Sequence, residues 1–178
     1  NSGRLDAALA SLDFMVCIDP YINETTRHAD VILPPPTPLQ KSHYDLALLN
    51  FAVHNVANYS PAVFPLEESQ LDESTIMLRL AGLVGGGGFD VDTDAMDAEI
   101  ARSMIGSMVR DEHGNVFGRD VDELVQMVAG RTGPERLLDI MLRTGPYGDG
   151  FGADPDGLTL AVLEENPHGV DLGALEPG

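Results

Sequence analysis

The stretch from Leu12 to Pro36, LDFMVCIDPYINETTRHADVILPPP, constrains the fold more than any other part of the chain. It holds two apolar runs, Phe14–Ile18 and Val31–Leu33, separated by a short polar connection. Each run is apolar at successive positions rather than alternating. That pattern suits strands covered on both faces, as in a parallel sheet between helix layers. Pro20 and Pro34 remove backbone donors just beyond each run and stop it. Asn23 is placed to cap a short helix, 24–29, with Glu24 at its positive end. Upstream, Leu5, Ala8, Leu9 and Leu12 recur at helical spacing over 4–12. A helix–strand–helix–strand order with short connections makes the strands parallel, because the crossover is right-handed. Open sheets of this kind hold ligands at the carboxyl ends of their strands, here Asp19–Asn23 and Pro34–His43.

The remainder reads as packing around this unit. The segment 46–59 is extended, and Pro61 and Pro65 mark a turn. A helix over 69–84 carries Ile76, Met77, Leu80, Leu83 and Val84 on one face and ends at Gly85–Gly88. From Asp90 the chain turns mainly helical, with helical spacing over 94–109, 121–128, 137–142 and 158–165. The Gly/Asp/Pro-rich stretch 145–157 reads as a solvated loop, and the tail 168–173 as lacking a core element. The expected organisation is a partial Rossmann-like α/β region, 1–89, followed by a mainly helical region, 90–178.

Composition narrows the function. The 178 residues carry a formal charge of −19, with 29 acids against 10 bases. Such a field repels phosphate backbones and anionic lipid, which argues against nucleic-acid or membrane-surface partners. No apolar run approaches a membrane span, so a soluble, cytoplasmic protein is expected. The chain opens on Asn1 rather than Met, and reads as starting inside a longer product. Cys17 is the single cysteine, mid-strand, and reads as an inert buried thiol. The five histidines show no metal-binding spacing. Gly85–Gly88 follows a helix and lacks the Gly-Lys-Ser/Thr of a phosphate loop, and no G-x-G-x-x-G follows the first strand. Asp149, Asp154 and Asp156 lack the spacing of a calcium loop. Asp19 has two readings: an acceptor for ribose hydroxyls or a purine edge, or a carboxylate capping a nearby turn.

The segment 19–34, D-P-Y-I-N-E-T-T-R-H-A-D-V-I-L-P, resembles the molybdopterin oxidoreductases of the dimethyl sulfoxide reductase and formate dehydrogenase type. Their large subunits carry D-x-x-x-T-E-T-A-x-x-A-D-V-V-L-P in the third of their domains, one of two α/β domains that cradle a bis(molybdopterin guanine dinucleotide) cofactor with molybdenum or tungsten. The similarity covers about residues 1–85 and the tail. It implies that Asp19 and Asn23 contact the guanosine end of one dinucleotide, with Glu24 and Thr25 ordering the turn. It also implies that the remaining domains of a parent chain, and an electron-transfer subunit, are the partners. The family's Thr and Ala stand here as Asn23 and Thr26, and its Glu-x-x-Gly after the second strand as Gln40-Lys41-Ser42-His43. The iron–sulfur cysteines and the metal ligand of such enzymes belong to earlier regions, so a catalytically inert segment is expected. The rival expectations are an acidic helical interaction module and an ordinary nucleotide-binding domain.

Overall fold

A computed structural model describes residues 2–175 of the chain. Helix α1 (Ser2–Leu9) leads into strand β1 (Val16–Ile18), which pairs in parallel with β2 (Val31–Leu33) in the register Val16–Val31, Cys17–Ile32, Ile18–Leu33. A 3₁₀ turn, Thr26–His28, stands between them where a longer helix, 24–29, was expected. The fold is mixed α/β, as expected. The two strands, however, are not buried: Val16, Ile18 and Val31 are 37–38% exposed and Phe14 63%. Among the described residues β1 and β2 form a sheet of only two strands, so both edges are open and no residue of either strand is fully buried. Cys17 is accordingly half-buried rather than interior.

Strands β3 (His43–Tyr44) and β5 (Tyr59–Ser60) pair antiparallel, and β4 (His54–Ala57) pairs antiparallel with β6 (Val170–Ala174). The tail is thus a strand, contrary to expectation. Its apolar Val170 and Leu172 add to a core cluster whose buried members are Ala57, Tyr59, Leu142, Leu158, Leu160 and Leu163. The remaining helices are α2 (Glu73–Val84), α3 (Thr93–Met108), α4 (Val121–Met127), α5 (Gly133–Thr144) and α6 (Leu160–Glu165). A second cluster joins α3, α4 and α5 around Ile105, Leu124 and Ile140, all fully buried. Burying each such side chain contributes about 1.5–3 kcal/mol. On α2 the expected core face is only partly right. Ile76 is buried, whereas Met77 and Val84 are 57% and 91% exposed.

Part of the acidic excess works at helix starts. Asp72, Asp92 and Asp120 each accept a bond from the backbone N–H three residues on, at 2.8–2.9 Å, and so cap α2, α3 and α4. Glu73, Asp94, Asp122 and Glu123 follow in the first turns, where the helix dipole favours negative charge. Asp139 and Asp149 serve differently. Both are buried and share Arg143, at 3.1 and 2.6 Å. Asp139 also accepts the N–H of Leu160 at the start of α6. Asp149 accepts the N–H groups of Phe151 and Gly152, holding Phe151 at a φ of 55°. The 145–157 loop is therefore anchored at its centre, and of its three aspartates Asp154 and Asp156 are exposed as a solvated loop would have them.

Candidate functional site: the turn leaving β1

Strand β1 ends where Pro20 cannot donate to a ladder, and the chain turns at once. Asp19, half-buried, spends both carboxylate oxygens on that turn. One accepts from the Tyr21 N–H at 2.8 Å, the other from Asn23 Nδ2 at 2.9 Å. Asn23 Oδ1 in turn accepts the N–H groups of Thr25 and Thr26 at 2.9 and 3.0 Å. The residues four apart that the sequence singled out thus bond directly, and Asn23 caps the turn as expected. An ionised carboxylate has about four acceptor positions. Two are used here, which leaves Asp19 with acceptor capacity while its orientation is fixed.

Glu24 and Thr25 lie on the other side of the turn, both exposed. With Leu5, Asp6 and Leu9 of α1 and with Arg27 they line a cleft of about 450 Å³. Its lining is aliphatic at Leu5 and Leu9 and charged at Asp6, Glu24 and Arg27. Arg27 is the cation of that lining, and it is already paired: Nη2 lies 2.6 Å from Asp6 and Nη1 lies 3.0 Å from Glu24. The Arg27 guanidinium, and then His28 at 2.8 Å, hold the Asp6 carboxyl below the usual carboxylate range. A turn with acceptor oxygens and a neutralised arginine suits the N–H- and O–H-bearing end of a nucleoside. It offers no free cation to a pyrophosphate.

Three residues in this region were missed by the sequence reading. Thr26, only 3% exposed, accepts the Asn23 N–H at 2.8 Å and donates to the Tyr21 carbonyl at 2.9 Å. Its hydroxyl, at a position where the resembling family has Ala, closes the turn internally. Asp30 accepts the Met15 N–H at 2.8 Å and ties the start of β2 to the start of β1. Asp6 is the third. A threonine three residues after Asn23, where a hydroxyl can bond back into a turn, is a sequence signal that could have found the first. The other two are contacts between distant positions and leave no local trace.

The exit of β2 opens on a second cleft of about 460 Å³, bordered by Gln40, Lys41, Ser42, Asp97 and Glu135. Lys41, Asp97 and Glu135 have partners within the protein. Lys41 pairs with Glu73 at 2.9 Å, Asp97 with Arg136 at 3.0 Å, and Glu135 accepts the Tyr59 hydroxyl at 2.6 Å. Gln40, at the Glu position of the family pattern, donates to Gln70 Oε1 at 2.7 Å and to the Pro65 carbonyl. A carboxylate could make neither bond. His43 Nε2 lies 2.7 Å from the Pro38 carbonyl. No group of three or more His, Cys, Asp or Glu side chains placed to hold a metal occurs among the described residues. Nor is any helix among them long and apolar enough to cross a membrane.

Fold and turn together define a mixed α/β chain whose parallel strand pair ends in an ordered, acceptor-rich loop. Among curated proteins, the chain is similar to the arsenate respiratory reductase molybdopterin-containing subunit ArrA of Shewanella sp. (strain ANA-3), with 28% identity over 109 residues. That match takes in 61% of this chain and 13% of the relative, so the chain spans a small part of the protein it resembles. No family model matches, and no solved structure does. The similarity supports a relationship with molybdopterin oxidoreductases.

Proposed function

We propose that this chain is a segment of a molybdopterin-dependent oxidoreductase and forms part of the wall of a bis(molybdopterin guanine dinucleotide) site. Asp19, Asn23, Glu24 and Thr25 are the residues assigned to the guanosine end. The reading rests above all on one observation: a half-buried carboxylate, held by Tyr21 and Asn23, stands at the carboxyl end of a parallel strand. The similarity to a molybdopterin-containing subunit supports it independently. When bound, the group supplies two-electron transfer at molybdenum or tungsten. The residues of this chain bind and orient it. Asp19 accepts hydrogen bonds from the nucleoside, and the Asn23–Thr26 network keeps that carboxylate in place. The exposed apolar faces of β1 and β2 support a place against further domains of a parent chain. An electron-transfer subunit completes the assembly.

The substrate belongs to that parent: a formate dehydrogenase-like enzyme is one member of the resembling group, and the curated relative is an arsenate respiratory reductase subunit. The segment by itself is catalytically inert. Oxidative release of the cofactor from the purified natural protein tests the reading. A fluorescent pterin and guanine nucleotide, in stoichiometric amounts, are expected. Their joint absence from a metal-replete preparation would overturn it.

A further inference from the structure

We propose that Asp6 is a positioning residue, the clamp that fixes the turn leaving β1 against helix α1. It rests on the nucleotide-site reading only for its functional consequence. One oxygen, Asp6 Oδ1, is bonded by two successive basic side chains, Arg27 Nη2 at 2.6 Å and His28 Nε2 at 2.8 Å. Arg27 and His28 belong to the 3₁₀ turn that follows Asn23, and the Arg27 N–H donates to the Asn23 carbonyl at 3.0 Å. Asp6 therefore holds the far end of the same short loop whose near end is Asp19. The loop is pinned at both ends and, by Thr26, in its middle. Helix α1 and the turn enclose the cleft of about 450 Å³, so the clamp also sets its width.

The pairing is selective. Arg27 faces Asp6 from α1 and Glu24 from its own turn, while His28 faces Asp6 alone in the ion pairs present. The side chain of His28 is only 16% exposed, against 51% for Arg27. An exposed pair by itself contributes little to global stability. The effect of Asp6 is accordingly on the local opening of the turn, which hydrogen exchange reads residue by residue.

The test compares the chain with Asp6→Asn and Asp6→Glu by amide hydrogen exchange. Asp6→Asn is expected to speed exchange at Thr26, Arg27 and His28 by roughly fivefold, as for loss of a surface ion pair. Amides of α3 and α5 should stay within twofold, and Asp6→Glu should restore much of the protection. Unchanged exchange at the turn, or a uniform rise across the chain, would overturn the clamp. Guanosine diphosphate binding to the same three proteins, read by fluorescence titration, separates the two readings. Binding that weakens in Asp6→Asn and recovers in Asp6→Glu extends the clamp to the site. Binding unaffected by Asp6→Asn overturns its positioning role. A wild-type chain that binds none counts against the nucleotide reading, and the exchange data still decide the clamp.

Discussion

Replacing Asp139 by Ala measures how far the helical region depends on one buried carboxylate. Asp139 is 2% exposed and makes three interactions at once. It pairs with Arg143 at 3.1 Å, lies 3.8 Å from Arg131, and accepts the Leu160 N–H at 2.8 Å. Removing a partner from a buried ion pair costs about 3–5 kcal/mol when it strands the other charge. Here the stranding is incomplete, because Arg143 keeps Asp149 at 2.6 Å and Arg131 keeps Glu164 at 2.8 Å. A lost charge-assisted hydrogen bond costs about 1.5–3 kcal/mol, and the orphaned Leu160 N–H adds about 1–3. The expected loss for Asp139→Ala is therefore about 2.5–6 kcal/mol. Asp139→Asn keeps an acceptor for Leu160, and about half that loss is expected. Urea unfolding followed by circular dichroism, with unchanged m-values, gives both numbers. A loss under about 1 kcal/mol for Asp139→Ala would refute the reasoning and show that Asp149 alone neutralises Arg143.

Further outcomes follow from other positions. Burial, and then the bond to Glu135, push the Tyr59 hydroxyl up to about 12. Because the folded value lies above the ordinary one near 10, the fold favours neutral Tyr59. Its stabilising share is whole below about pH 10 and is lost as pH rises through 12. Alkaline absorbance titration should show Tyr59 ionising last and removed from the curve by Tyr59→Phe. A curve in which all four tyrosines ionise together near 10 would contradict the burial of that hydroxyl. Gly157→Ala would drive a methyl group into the backbone of Gly148 and Asp149. It should lower the thermal midpoint by several degrees, whereas Gly130→Ala, which meets open space, should leave it nearly unchanged.

What the sequence disclosed, and what it did not, divides along physical lines. Strand β2 was legible to the residue as Val31–Leu33, because a proline and a polar turn bound it tightly. The helices over α3 and α5 were legible from their spacing, and the stop at Gly85 from glycines that reach φ of 83° and 80° just beyond it. The start of α2 was misplaced, at Ser69 instead of Glu73, for want of recognising Asp72 as its cap. Asp19 stood out as the acid closing the first strand and Asn23 as a cap, their joint role came from the family resemblance, and their mutual bond is local. Partnerships across long separations were not legible. The tail's pairing with β4 and the sharing of Arg143 by Asp139 and Asp149 depend on how distant segments pack. The burial of the first strand was misjudged for the same reason. Apolar composition on both faces tells what a strand would tolerate, not whether covering layers are present.

The measurement that bears most directly on the account is cofactor content in the natural protein with Asp19 changed to Asn. That substitution keeps an acceptor for the Tyr21 N–H but sets an NH2 group against Asn23 Nδ2, so the charge offered to a nucleoside and one of the two holds on the turn are both lost. Pterin and metal per chain should fall severalfold against wild type, and further in Asp19→Ala. Full occupancy in both variants would contradict the claim that this carboxylate faces the nucleotide.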